Sequence, residues 1–412
     1  MRATATCLGE FPHVSTMNSR SGLALALCAL LVLAGCVAPT GETPAASAAA
    51  ADDPGTTANG TTTPADGSAP EHVVVDGDLA VDANVTFDRV AALLDANYAP
   101  TRVVVEDLTG RQPVSYSGVP FFAAFGVEAP SGDSTGAAGL TTLDATVYLS
   151  PAAAESARVE QVLAHEFVHV AQVREDMVPW FEGLAGAAES LDEQFARRAL
   201  VEGGAVHVTD AYTREHQPGL DSQSAQMATA YENAAAGGRL VYGQYHFGAR
   251  YANATLDGPA ALPGLYRDAP ETTEGLLHPE RDDAPVPLDV TVDAESFDRD
   301  RSQTRRAGEL LARVVLRQTA TRSTAREAAA GWGNDRVVAF DTANGSAVAW
   351  VTRWDTPADA DEFAGAARAL GDLRTGNEYR TARVDDETVV VFAGSEQFVE
   401  TAAASGNVSV AA

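Results

Sequence analysis

The chain has 412 residues, with 57 Asp and Glu against 28 Lys and Arg, for a formal net charge of −29. All 28 basic residues are Arg. A negative field of this size repels phosphate backbones and excludes nucleic acid as a partner, while a 45% hydrophobic fraction excludes a chain disordered throughout. Carboxylates in such excess repel one another unless salt screens them, and the Debye length falls to about 3 Å near 1 M. Acidity without Lys therefore points to an extreme halophile as host. The three cysteines, Cys7, Cys28 and Cys36, all precede residue 37, so the rest of the chain carries no disulfide and no thiolate metal site.

Residues 22–36 read GLALALCALLVLAGC, an apolar run too short for a convincing membrane span. Its end, Leu33-Ala34-Gly35-Cys36, resembles the lipobox of lipoprotein signal peptides. That resemblance implies cleavage before Cys36 and a lipid on its sulfur. Met17 with Arg20 makes a better start than Met1, so residues 1–36 read as a lipoprotein signal peptide translated from Met17. Residues 37–71 are Ala, Thr, Gly, Pro, Ser and Asp with almost no large apolar side chains, the composition of a flexible tether. Sequons at Asn59, Asn84, Asn253, Asn344 and Asn407 agree with an exported chain. The expected location is the cell surface, held to the membrane through Cys36.

Folded structure is expected from residue 72. VTFDRVAALLDANY (85–98) has helical spacing, while RVVVEDL (102–108) and ATVYLSP (145–151) read as strands. A long helical pattern runs through Val173, another spans roughly 188–207, and further helical stretches cover 220–252 and 303–317. The last eighty or so residues change character. RVVAFDTANGSAVAWVTRW is a hairpin pattern around Asn344-Gly345, a type I′ turn signal. Thr356 and Pro357 open a helix as N-cap and N1. A second hairpin and a final helix complete a ββαββα segment over 331–412.

The chemistry concentrates in His165-Glu166-Phe167-Val168-His169, an HExxH motif within a helical pattern. Histidines four residues apart project from one helical face and can grip a single metal, and the Glu between them can reach a metal-activated water without ligating the ion. A zinc enzyme needs a third protein ligand and an open fourth position. Glu182, Glu189 and Glu202 are the candidates. Glu189 follows His169 by 20 residues, but its helical neighbours Asp192 and Glu193 give it a charged face. Glu202 shares a stripe with Leu191, Phe195, Ala199 and Val206, where a lone carboxylate is costly unless it meets a proton, a cation or a metal. Gly203 and Gly204 leave room there for another backbone. Tyr242 and His246, four apart in a Tyr-rich helical stretch, are candidates for stabilising a developing oxyanion, with aromatic core packing as the equal alternative.

HEFVHVAQ (165–172) followed by ALVEGGA (199–205) resembles the gluzincin pattern of zinc metallopeptidases. VYGQYHFGARY (241–251), LYRDAPETTEGLLHPE (265–280), AAGWGNDRVVAF (329–340) and WVTRWDTPADADEF (350–363) resemble an uncharacterised group of haloarchaeal and actinobacterial surface proteins described as metallopeptidases. The resemblance covers roughly residues 85–395. It implies an α+β fold: a largely helical zincin-like domain with a small sheet over 72–330, then the C-terminal segment. It further implies Zn²⁺ on His165, His169 and Glu202, Glu166 as general base, and a peptide or protein substrate aligned along the strand at Tyr148. The related proteins tend to read EGDA where this chain has EGGA, so Gly204 stands in place of an acidic residue that could orient a ligand histidine. The competing expectation is a non-catalytic surface protein of the same architecture, binding a ligand or an envelope partner.

Overall fold

A computed structural model describes residues 72–109, 118–128, 137–180, 190–281, 284–293, 297–342, 345–373, 375–405 and 409–411. Cys36, the tether, Glu182, Glu189 and Asn344 of the expected turn lie outside these residues. No helix among the described residues is long and apolar enough to cross a membrane.

The first half is built on a small sheet. Strand β1 (Val74–Asp76) leads into helix α1 (Ala83–Leu94), which Asp82 caps by accepting from the amides of Asn84 and Val85. Asp95, in the left-handed region at φ 50°, ends the helix. Strands β2 (Arg102–Val105), β3 (Gly139–Thr141) and β4 (Val147–Leu149) follow, in the spatial order β1-β2-β4-β3. The first three are mutually parallel, so α1 serves as the crossover that parallel pairing requires, and β3 runs antiparallel at the edge. The strand that carries Tyr148 is thus paired on both sides and offers no free edge for an added peptide strand. The edge strand beside it, β3, is itself buried along its three residues.

Helix α2 (Val159–Arg174) is buried from Gln161 through Gln172, which explains its weak amphipathic signal. Around it lie α3 (Leu191–His216), α4 (Gln223–Asn233), α5 (Ala236–Thr255), α6 (Leu262–Arg267) and α7 (Thr273–Leu277). Ser190 caps α3 through the Glu193 amide, and Ser222 caps α4 through the Ala225 amide. Helix α3 does not stop at Gly203-Gly204 but continues to His216. A Cβ on Gly203 would lie 2.0 Å from the carbonyl carbon of Gly248, and one on Gly248 would lie 1.8 Å from Ala199 O. The two helices therefore meet backbone to backbone at glycines, and the tolerated cost of glycine in a helix is offset by that approach. The space anticipated beside Glu202 is occupied by α5 at Gly203 and by Leu262, Leu265 and Tyr266 of α6 at Gly204.

After β5 (Thr291–Asp293) comes strand β6 (Asp298–Arg305), whose last three residues fall in the stretch expected to be helical over 303–317, and the helix itself, α8, is confined to Glu309–Leu316. Strands β7 (Trp332–Thr342) and β8 (Gly345–Trp354), helix α9 (Pro357–Ala367), strands β9 (Glu378–Arg383) and β10 (Thr388–Gly394) and helix α10 (Glu396–Thr401) realise the ββαββα pattern. Thr356 caps α9 through the Asp359 amide, with Pro357 at N1, as its sequence requires. The sheet is antiparallel, in the order β6-β7-β8-β10-β9, so it begins at residue 298, before the segment read from the sequence. Alternation sorts its side chains: Val337, Val348, Trp350 and Val391 join the main core, while Val338, Phe340, Ala349 and Phe392 pack with Phe398 of α10. Trp350 meets Phe121 and Phe125 edge-on at centroid separations of 5.1 and 5.4 Å, so one core is continuous across both halves. Strands β11 (Ala403–Ser405) and β12 (Ser409–Ala411) complete a three-stranded sheet with β5. The fold is α+β.

Candidate metal centre

His165 and His169 lie one turn apart on α2, and α3 brings Glu202 against them. The imidazole Nε2 atoms are 3.1 Å apart, and Glu202 Oε2 lies 3.4 Å from that of His165 and 3.5 Å from that of His169. Ligand atoms about 2.0–2.1 Å from a tetrahedral ion stand about 3.3 Å from each other, so this near-equilateral triangle already has the spacing of a coordination face. The group is buried, and Glu202 Oε2 has no hydrogen-bond partner. An orphaned buried carboxylate oxygen facing two imidazoles is what a cation site leaves open. The group can hold a metal ion. Among the described residues no fourth His, Cys, Asp or Glu joins it, and His207 instead contacts Asn253 Oδ1 at 2.6 Å.

Two glutamines orient the imidazoles. His165 Nδ1 lies 2.9 Å from Gln223 Oε1, and His169 Nδ1 lies 2.6 Å from Gln172 Oε1. An amide oxygen only accepts, so each Nδ1 carries a proton and each Nε2 is the nitrogen turned to the centre, where it can ligate once free of its own proton. Gln172 is itself anchored, donating to Val201 O at 3.0 Å and to the Tyr266 hydroxyl at 2.6 Å. That hydroxyl occupies the space a Cβ on Gly204 would invade, at 2.5 Å. The acidic residue absent at position 204 is thus not needed for orientation here. Gln172, three residues after His169 on the same helical face, was legible as a neighbour; Gln223, from another helix, was not.

Burial works against the ionised form of Glu202, but the charge of His169 and contact with both imidazoles outweigh it and hold the carboxyl down to about 2. Burial likewise opposes protonation of His169, and the Glu202 carboxylate prevails, raising it to about 9. Without a metal the pair is therefore an ion pair at neutral pH.

Glu166 is buried and points toward β3. Thr141 Oγ1 donates to its Oε2 at 2.7 Å, while Oε1 has no partner. A Cβ on Gly139 would lie 2.9 Å from Oε1, so a larger residue there would displace the carboxylate. Burial raises the carboxyl's proton affinity, tempered by the neighbouring imidazoles.

The two oxyanion candidates part company. Tyr242 is buried in the main core, and its hydroxyl is held neutral by burial. His246 stacks on Tyr231 at 5.6 Å and lines a different cavity, which none of the three ligands borders. The residue of α5 that reaches the centre is Tyr245, whose ring lies 6.1 Å from that of His165. A helix advances about 100° per residue, so His246 faces a separate side.

A family model described as a domain of unknown function (DUF8575) matches residues 295–408. That stretch holds the five-stranded sheet and none of the residues of the centre. No curated protein and no solved structure matches the chain.

Proposed function

We propose that the protein is a zinc-dependent hydrolase of the metallopeptidase type, with His165, His169 and Glu202 as ligands and Glu166 as general base. The observation that carries this reading is the pairing of a three-donor face spaced for a tetrahedral ion with an adjacent buried carboxylate that keeps one oxygen unpartnered. When bound, zinc would bring the pKa of a coordinated water toward 7 and polarise a substrate carbonyl. Two nitrogens and one carboxylate oxygen favour zinc among common divalent ions, although the same set accepts others. Glu166, with Oε2 held by Thr141, presents Oε1 to accept a proton from the attacking water and return it to the leaving amine. Burial of Glu166 raises its proton affinity and suits that role. The lipobox at Cys36 supports an exported, lipid-anchored form, tested by incorporation of labelled lipid that Cys36→Ser abolishes.

The full chain purified in high salt, analysed for metal by mass spectrometry, tests the ligand set. One zinc per chain, lost in His169→Ala and in Glu202→Ala, is the expected result. Absence of stoichiometric metal in the parent protein would end the proposal.

One observation favours a second reading. His165, Glu166, His169 and Glu202 are each 0–1% exposed, which suits a metal that holds two helices together without turnover. Protease assays of the zinc-loaded protein separate the two: zinc retained with no cleavage of casein or of a peptide library selects the structural role.

A further inference from the structure

The cavity that His246 lines is unusual for so acidic a chain. It lies between α4, α5, the end of α8 and the short helix Arg322–Glu327, and encloses about 220 Å³. Tyr231, His246 and Phe247 form an aromatic wall, with Phe247 edge-on to Tyr231 at 5.1 Å. Facing them are five of the chain's 28 arginines: Arg250, Arg313, Arg317, Arg322 and Arg326.

Three of these are compensated. Arg313 pairs with buried Glu309 at 2.5 Å, Arg322 with Glu232 at 3.0 Å, and Arg326 with Glu327 at 3.7 Å. Arg250 and Arg317 have no carboxylate partner among the described residues. Arg317 makes one long bond, to Ala320 O at 3.3 Å, and Arg250 lies 5.9 Å from the Phe247 ring centroid. The surplus positive charge is felt locally: burial and the charges of Arg250 and Arg322 push His246 down to about 4, and burial and Arg317 lower the affinity of Arg239 for its proton. In a molecule of net charge −29, two guanidiniums that line one cavity, neither paired with a carboxylate among the described residues, beside an imidazole and an aromatic wall make a counter-site.

We propose that this cavity binds a phosphomonoester: the dianionic phosphate between Arg250 and Arg317, and a small planar or apolar substituent against Tyr231, His246 and Phe247. Two uncompensated cations match a group carrying about −1.5 to −2 charges at pH 7, which a single carboxylate does not. Guanidinium forks recognise phosphate oxygens in pairs, and such charge-assisted bonds are the stronger class. The net charge of −29 disfavours anions over the molecule as a whole. The site is independent of the metal centre, none of whose ligands borders it. The phosphate can come from a free metabolite or from a lipid headgroup.

Calorimetric titration of the full chain in about 1 M KCl uses phenyl phosphate as the probe, since salt at that level screens non-specific attraction to scattered surface charges. The expected result is saturable one-to-one binding, weakened about tenfold or more in both Arg250→Gln and Arg317→Gln. Arg383→Gln, on the far sheet and paired with Asp361, should bind as the parent does. Benzoate, of similar shape and one charge, should bind at least about tenfold more weakly. Sedimentation with vesicles of phosphatidylcholine, with and without phosphatidic acid, identifies the source. Acid-dependent capture lost in the two variants assigns a lipid headgroup, whereas phenyl phosphate binding without capture assigns a soluble ester. No saturable binding, binding unchanged in both Gln variants, or benzoate as tight as phenyl phosphate would overturn the proposal.

Discussion

Glu202, at the centre of the helical half, and Asp335, where the C-terminal sheet meets it, are both buried carboxylates in the same protein. Asp335 accepts from the amides of Ala307 and Gly308 and from Trp350 Nε1, at 2.6 to 3.2 Å. Its neighbour Asp192 is equally well supplied, accepting from the Thr273 amide and hydroxyl and from Arg306. Glu202 instead faces two imidazoles at 3.4 and 3.5 Å, with its Oε2 unpartnered. A buried carboxylate saturated by donors tethers one part of a fold to another; one whose unpartnered oxygen faces two imidazole nitrogens able to ligate marks a candidate cation site. The distinction is in the neighbours, not in the residue.

The contrast breaks most visibly at Glu166, the buried carboxylate between the two histidines, whose Oε1 is also unpartnered. Glu166→Gln is expected to lower peptide hydrolysis by about 10²–10⁴-fold while zinc content is unchanged. A variant that still cleaves at the parent rate removes Glu166 from the chemistry. Next in size is a matched pair of deletions. Asp335→Ala leaves three buried donors unpaired and should cost about 3–5 kcal/mol by urea unfolding, with no recovery on adding zinc. Glu202→Ala should instead abolish the zinc-induced rise in melting temperature. If zinc rescued Asp335→Ala, or still raised the melting temperature of Glu202→Ala, the division between tethering and ligating carboxylates would be wrong.

Smaller is the effect of the helix contact that places Glu202. Gly203→Ala, forced against Gly248, should destabilise by about 1–3 kcal/mol and weaken zinc binding with it, measured on one sample by unfolding and by competition with a chelator. Gln223→Leu leaves the ligands in place but frees the His165 ring, and a loss of about 10–100-fold in zinc affinity is expected. Unchanged affinity would show that packing alone holds the imidazole.

The last prediction concerns pH. With His169 raised from 6.5 to about 9, its contribution to metal-free stability is complete below 6.5 and lost as pH climbs through 9. With Glu202 lowered from 4.5 to about 2, its contribution is present above 4.5 and lost as pH falls through 2. Metal-free protein should therefore be most stable between these limits. Zinc must displace the His169 proton, so its affinity should rise about tenfold per pH unit from 6.5 toward 9, and a flat profile would contradict the ion pair.

Much of the molecule was legible because it depends on short-range rules. Four-residue spacing put His165 and His169 on one face, an apolar stripe singled out Glu202, and alternation with turn and cap residues outlined the ββαββα segment from Trp332 to Thr401. Local rules erred where a distant partner decided the outcome. The helix read to about residue 207 runs on to His216, packed backbone to backbone against α5 through Gly203. Residues 298–305 form a strand because β7 is there to pair with them. His246 and Tyr245 are adjacent in sequence, yet one lines an arginine-rich cavity and the other approaches His165. The amino-acid sequence by itself determined which side chains could bind a metal and on which helices they stand, since ligand type and helical period are local properties. Only the tertiary structure decided that Gln172 and Gln223 aim the imidazoles, that Thr141 holds Glu166, and that Arg250 and Arg317 meet no carboxylate among the described residues, because each depends on which groups elsewhere in the chain come within hydrogen-bonding or ion-pairing reach.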